Sequence, residues 1–382
     1  MSQPTLSRIP LLNLARQTAA IRPRLDAAVA RVLDHGHYIL GPEVVELEKR
    51  VAACCGTQFA VSCASGTDAL LLPLMAYGAG PGHKVITSPF TFFATAGSIS
   101  RLGAEPVFLD IDPETSNLDP DHLERYLVAC TAEEIRQIKA IIPIHLFGQC
   151  AQMDRIMDLS VRFDIPVIED AAQAIGAEWN HKRAGSMGHC GAFSFFPSKN
   201  LGGAGDGGII TTNDTALADQ LKLLRVHGGE RRYYHRFVGI NSRLDTLQAA
   251  LLLAKFDFLD EWTRKRIDNA VFYSEQLGAL GDARIKLPSI DPRGRHVFNQ
   301  YTVRVPNRDD VKSALFEAGI ASEVYYPVPL HLQECFAGLN YKVGDLPVSE
   351  AAAREVLSIP VDPELTAEER IRIVSSLAAA VA

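Results

Sequence analysis

Short apolar runs alternate with segments of helical period from Ser62 to about Asn213. Runs of four to six β-rich residues predict strands at Phe59–Ser62, Lys84–Thr87, Glu105–Leu109, Ala140–His145, Pro166–Glu169, Gly191–Phe196 and Gly208–Thr211. Between them, apolar residues recur at helical spacing over Gly66–Tyr77, Phe92–Leu102, Met153–Phe163 and Thr215–Val226. Strands that are apolar almost throughout, separated by helices, predict an α/β domain. Its seven-stranded sheet is mostly parallel and covered by helices on both faces. A long amphipathic segment, Arg243–Arg266, follows and bridges to a region of different pattern. There Asn299–Val305 reads as a strand and Asp309–Ala318 as a helix. A last helix starts at Thr366, where Thr366 and Glu369 have the spacing of a capping box. The expected division is a large domain over residues 1–255 and a smaller α+β domain over 256–382.

Composition narrows the class. The 382 residues are 47% hydrophobic and 22% charged, as in ordinary globular proteins. A net charge of −7 argues against a nucleic-acid partner, which needs a basic face. No apolar run approaches the roughly 18 residues of a membrane helix, and MSQPTLSRIPLLNLARQ holds no secretory signal. The seven cysteines are scattered, without CxxC or metal spacing, and read as free thiols in a reducing cytoplasm. The adjacent Cys54 and Cys55 read as helix packing. No metal site is expected.

Candidate chemistry lies at the carboxyl ends of the predicted strands, where open α/β sheets place their ligands. Asp170, Gln173, His145 and Lys199 all fall there. Asp170 ends a strand in IPVIEDAAQAIGA. Lys199 follows another in GAFSFFPSKNLGGAGDGG, about thirty residues on. A lysine to bind an aldehyde and an acid to keep a pyridine nitrogen protonated are what pyridoxal phosphate (PLP) requires of a protein. Ser65-Gly66-Thr67, small residues at a helix start, form a phosphate seat.

Each residue also has a plainer reading. A lysine is by default a surface residue, but apolar and glycine-rich flanks set Lys199 apart. Asp170 could be only a helix N-cap, with Glu169 the functional acid; the two point to opposite faces of a strand. Phe92 and Phe93 could be core packing or could stack on a flat ring. His145 and His331 could be ordinary polar residues. Gly203, Gly205 and Gly208 have GxGxxG spacing, but the run leads into the β-like GGIITTN and not into a helix, which rejects a dinucleotide site. The stretch Arg225–Arg243, locally basic in an acidic chain, reads as a loop that handles an anion.

With these residues in place, the chain resembles the nucleotide-sugar aminotransferases of PLP fold type I, the DegT or StrS family, almost end to end. The resemblance lies in GHYILGPEVVELE, SGTDALLL, SPFTFFATAGSISRLGAEPVFLDIDP, IPIHLFGQCAQMD, VIEDAAQAIGA, FSFFPSKNLGG, GINSRLDTLQAALL and YYPVPLHLQ. It implies an aspartate-aminotransferase-like fold, PLP as cofactor and Lys199 as its covalent anchor. It implies Asp170 at the ring nitrogen, Gln173 at the ring hydroxyl and Phe92 stacked on the ring. Gly66, Thr67 and Ser194 would bind the phosphate, as would Asn241 from a neighbouring subunit. Arg243, Tyr326 and His331 are implied at the substrate. A homodimer with shared active sites follows, with the basic loop serving the partner's site. The implied reaction moves an amino group from L-glutamate to a nucleotide-linked keto-sugar, for lipopolysaccharide, O-antigen or related glycans. Lys199 is retained where dehydratase relatives carry histidine, so aminotransfer is implied. GSISRLGA and IPIHLFGQCAQMD resemble members that aminate carbon 3 of the hexose; carbon 4 amination, another PLP reaction or a PLP-binding regulatory protein are the alternatives. The nucleotide is left open.

Overall fold

The computed structural model describes residues 8–382; the first residues of the expected large domain, and the start of the segment read for a secretory signal, lie outside them. Seven strands form the central sheet: β1 (Phe59–Cys63), β2 (Lys84–Thr87), β3 (Glu105–Phe108), β4 (Ile138–Ile142), β5 (Ile168–Asp170), β6 (Cys190–Ser194) and β7 (Gly208–Thr212). Their order is β1-β7-β6-β5-β4-β2-β3. The junction of β4 and β5 is made by the parallel bridges Ile141–Val167 and Ile144–Asp170. Only β7 runs against the rest.

The sheet is largely apolar because both faces are buried. Neighbouring residues of one strand enter different cores. Ile86, Ile141, Phe193 and Ile209 pack on one side, while Val85, Ile142, Ala192 and Ile210 pack on the other. That is the period-2 alternation of a pleated strand, with helices taking up each face.

The segment Arg243–Arg266 is two helices, Thr246–Phe256 and Leu259–Ala279, separated at Asp257 and Phe258. The first packs on the N-terminal helix Leu14–His35, where Ala28 and Val32 meet Ala250. The second contributes Ala270, Tyr273 and Leu277 to a separate core. That core contains the antiparallel pair β8 (Tyr301–Arg304) and β9 (Val356–Ile359), the helix Arg308–Glu317 and the last helix, Ala367–Val381. Thr366 and Glu369 make the reciprocal capping box at the start of that helix. Ile9 joins the same core and pairs with Ile320. Among the described residues, no helix is long and apolar enough to cross a membrane.

Candidate active site

Strand β5 decides the site. Its last two residues are acids, and the pleat sends them opposite ways. Glu169 is fully buried and accepts from Gly185 N at 2.7 Å, Met187 N at 2.7 Å and Gly188 N at 2.6 Å. Its fourth contact is His145 Nε2 at 2.8 Å. His145 Nδ1 accepts from Ala151 N at 3.2 Å, so Nε2 carries the proton given to Glu169. Glu169 is thus occupied in holding the 185–188 turn. Asp170, 6% exposed, turns into a cavity of about 680 Å³. There Thr95 Oγ1 donates to its Oδ2 at 2.7 Å, and Ala172 N lies 3.3 Å from Oδ1.

Lys199 enters the same cavity from the turn after β6, whose backbone is closed by Lys199 N donating to Phe196 O at 2.9 Å. Burial pushes the Lys199 ammonium down to about 8, against the opposing pull of the Asp170 carboxylate. Burial likewise pushes Asp170 up, opposed first by the Thr95 hydroxyl, then by Ala172 N–H and the charge of Lys199. Among the described residues the Lys199 amine has no hydrogen-bond partner, so it is free to condense with a carbonyl.

The phosphate seat is formed where β1 meets the helix Gly66–Ala76. Ser65 caps that helix, accepting from Asp68 N at 3.1 Å, and Ser65, Gly66 and Thr67 line the cavity. Ser194, at the end of β6, stands against this helix start. A Cβ on Gly66 would lie 2.6 Å from Ser194 Cβ, so only glycine lets the two elements close into a cradle. The glycine-rich run has a similar reason, since a Cβ at Gly202 would meet Pro197 O at 2.3 Å. It leads into strand β7 and not into a helix. Dipole-aligned N–H groups, a buried acid and a low-pKa lysine around one cavity fit a phosphorylated, cationic, aldehyde-bearing ring.

Gln173 lies one turn after Asp170. Its Oε1 accepts from Phe147 N at 2.7 Å, and its Nε2 donates to Tyr326 Oη at 3.3 Å. Tyr326 lines the cavity from the C-terminal part of the chain, and burial pushes its phenol up. Phe92 stands at the cavity mouth, 60% exposed, with its ring 6.3 Å from that of Tyr326. Phe93 packs on Phe336 instead.

Other expected residues are elsewhere. His331, expected at the substrate, is buried away from the cavity lining and meets Glu350 at 3.3 Å and the Tyr341 ring. Arg225, read as part of an anion-handling loop, is buried against Glu48 Oε1 at 2.5 Å and Ser62 O at 2.8 Å. Asn241 is exposed and Arg243 half-buried, and neither lines the cavity of its own chain. Thr95 escaped the sequence reading altogether. Its only signal is its place in the helix after SPFTFF, which packs over the sheet beside the end of β5.

A family model described as the DegT/DnrJ/EryC1/StrS aminotransferase family matches residues 19–378. The chain is 47% identical to the pleiotropic regulatory protein of Geobacillus stearothermophilus over 97% of its length and 98% of that protein's. It is also 47% identical to the UDP-2-acetamido-2-deoxy-3-oxo-D-glucuronate aminotransferase of Pseudomonas aeruginosa, over 94% of this chain and 96% of the relative. S. venezuelae DesV, solved by X-ray crystallography in complex with a ketimine intermediate, superposes with a TM-score of 0.92 at 40% identity, covering 97% of this chain and 98% of DesV. The chain therefore belongs to the DegT/DnrJ/EryC1/StrS aminotransferases, with their PLP-dependent fold and their dependence on that cofactor.

Proposed function

We propose that this aminotransferase takes the amino group of L-glutamate and places it on carbon 3 of a nucleotide-linked 3-keto hexose, in the cytoplasm, for a lipopolysaccharide, O-antigen or related surface glycan. The observation that carries the reading is Asp170 and Lys199 facing one cavity beside the Gly66–Ser194 cradle. Bound PLP supplies an aldehyde that accepts amino groups and a ring that stores electrons. Asp170 would hold the proton on the ring nitrogen and Gln173 would meet the ring hydroxyl. Gly66, Thr67 and Ser194 would hold the phosphate, and Phe92 would cover the ring. Lys199, whose ammonium burial pushes down to about 8 so that more of the amine is free base near neutral pH, would take the proton from the donor's Cα and pass it to the cofactor carbon in the first half-reaction, and would make the reverse transfer in the second. The 3-keto assignment draws support from the Pseudomonas relative, whose name specifies a 3-oxo sugar.

The same reading includes a homodimer with shared sites. A diphosphate and the two carboxylates of glutamate need cations. Lys199 is the one lysine or arginine lining the cavity among the described residues, against Asp170, Asp206 and Glu323. Cations stand instead on the exposed hairpin Gly229–Arg231 and Tyr234–His235 and its flanks, as Arg231, Arg232 and Arg236, with Arg243 and Asn241 following. An exposed apolar stretch, Tyr38, Ile39, Leu40 and Val45, offers a surface for the second copy to cover.

The test is to offer L-glutamate to the PLP-loaded protein, follow loss of its visible band and release of 2-oxoglutarate, and then supply 3-keto and 4-keto nucleotide sugars. Mass spectrometry of the product identifies the acceptor. Faster turnover of a 4-keto sugar refutes the carbon 3 assignment. A regulatory role, named for the Geobacillus relative, is the second reading; it requires that no keto-sugar turns over.

A further inference from the structure

The residues on either side of Lys199, Ser198 through its carbonyl and Asn200 through its side chain, are tied by a pair of buried asparagines to a segment about a hundred residues away in sequence. Asn200 is buried. Its Nδ2 donates to Val297 O at 3.0 Å. Its Oδ1 accepts from Asn299 Nδ2 at 2.9 Å, and the same Nδ2 lies 3.5 Å from Ser198 O. Residues 198 and 200 are thus both tied to the 297–299 segment, and Lys199 sits between them.

That segment is itself anchored next to the site. Val297 N donates to Gly148 O at 3.0 Å, and Gln300 N to Phe147 O at 3.3 Å. Phe147 N in turn donates to Gln173 Oε1 at 2.7 Å. A continuous path of hydrogen bonds therefore runs from the turn that carries Lys199, through Asn200 and Asn299, to Gln173 on the far side of the same cavity. The longer links are the 3.5 Å contact to Ser198 O and the 3.3 Å bond from Gln300 N to Phe147 O; the others are 3.0 Å or shorter.

We propose that Asn200 and Asn299 are positioning residues: they act as one clamp that fixes the Lys199 amine relative to Gln173 and Asp170. The proposal rests on Lys199 being the cofactor lysine. A lysine side chain has four rotatable bonds, so burial of the amine alone does not fix it; its reach depends on where the Cα is held. Lys199 must meet two targets in turn, the cofactor carbon it binds and the Cα proton it moves. Proton transfer and condensation are both steep in distance, and a misplacement of about 1 Å costs on the order of 100-fold. The asparagines touch neither target, and their polar atoms are used up in the clamp apart from Asn299 Oδ1. Their contribution is therefore to geometry and not to chemistry.

The experiment uses the PLP-loaded full chain and begins with borohydride reduction and peptide mapping of the wild type. Labelling at a lysine other than Lys199 overturns the reading beneath the proposal, and the proposal with it, before any variant is made. With Lys199 labelled, Asn200→Ala, Asn299→Ala and the double variant are compared by three measurements. These are the pH at which the bound cofactor's visible band titrates, the single-turnover rate with L-glutamate, and the thermal midpoint. The clamp predicts a titration shifted by at least about half a pH unit. It predicts a rate constant lowered about 10- to 100-fold, with the KM for glutamate within about threefold of wild type. The double variant should be no slower than the slower single variant within about threefold, because two halves of one clamp are not additive. Should an alanine variant fail to fold, Asn299→Leu fills the space without the donor and is read the same way. A lowered thermal midpoint with an unchanged titration and an unchanged rate shows that the pair only stabilises the fold, and overturns the proposal. Additive losses in the double variant overturn it equally.

Discussion

Thr95→Val removes one hydroxyl and keeps the shape of the side chain. In the wild type, Thr95 Oγ1 gives its proton to Asp170 Oδ2 at 2.7 Å, and Thr91 Oγ1 stands 3.2 Å behind it. Since the Thr95 proton goes to the carboxylate, Thr91 must be the donor in the second bond. Asp170 is buried, and its other hydrogen bond, from Ala172 N, is long at 3.3 Å. Thr95 therefore supplies the one short bond that favours the charged carboxylate, and it heads the groups that oppose the upward push of burial. A hydrogen bond to a charged group contributes about 1.5–3 kcal/mol, roughly one to two pKa units of further upward shift when lost. The consequence follows from where a shared proton sits. As Asp170 becomes more basic, the proton it holds on the ring nitrogen moves toward the carboxyl. The ring then stores electrons less well. The first half-reaction with L-glutamate should slow about 10- to 100-fold, while Thr95→Ser, which keeps the hydroxyl, stays within a few-fold of wild type. Single-turnover absorbance measures both, and thermal denaturation checks that the fold is intact. A Thr95→Val protein that reacts within twofold of wild type refutes the argument.

Asp170→Asn should cost on the order of 10² to 10³ in rate while leaving the fold intact, since one preorganised charge is lost from the site. Glu169→Gln should instead lower the unfolding free energy by about 3–5 kcal/mol, because three backbone donors and His145 converge on that buried carboxylate; kinetics and urea denaturation of the two variants decide, and the reverse pattern assigns the roles wrongly. In the cofactor-free protein, Lys199 has its folded pKa, about 8, below its unfolded value near 10.4. The destabilisation is therefore full below pH 8 and is relieved as pH rises from 8 to about 10.4. Wild type should gain up to about 3 kcal/mol on Lys199→Met across that window, as followed by denaturation of both at pH 7 and pH 10. Mixing Lys199→Ala with Asn241→Ala/Arg243→Ala under subunit exchange should restore a fraction of wild-type turnover, since a mixed dimer leaves one site intact; proven exchange without activity removes the shared-site reading.

The strands were legible because a doubly covered sheet leaves little room for polar residues. Val85-Ile86 and Ile209-Ile210 read as apolar runs, and their two faces pack into different cores. Asp170 and Gln173 were legible through spacing, and the acid pair could be narrowed by alternation though not decided. What decided it was the ring of donors around Glu169, drawn from residues 145 and 185–188, which has no local signature. The same limit applies to other residues. Arg225 sits in a basic stretch, but its partner Glu48 is 177 positions away. His331 looked available until Glu350 and Tyr341 closed on it. Strand β9 follows the helix Pro347–Glu355 without a break, and no strand is expected there from the sequence pattern. A threonine such as Thr95 is too common to stand out until folding brings it 2.7 Å from a carboxylate 75 positions on.

The adjacency of Glu169 and Asp170 has a physical reason. A buried acid facing a cavity is held only as firmly as its strand, and β5 is three residues long. Its backbone is secured through Asp170 N to Pro143 O and His145 N to Asp170 O, both 2.9 Å, which fix the strand end against the segment after β4. Glu169 secures the other face. It draws in the 185–188 turn directly, and it fixes His145, whose backbone already binds Asp170 O, from the side-chain end. The residue that orients His145 is therefore also the immediate neighbour of the one that faces the ring. Two like charges side by side in sequence would repel if they shared a face. The pleat separates them, and each then meets its own donors. One acid rigidifies the strand end from behind so that the other, with fewer hydrogen bonds and a carboxyl that burial pushes up, can keep its capacity for the cofactor.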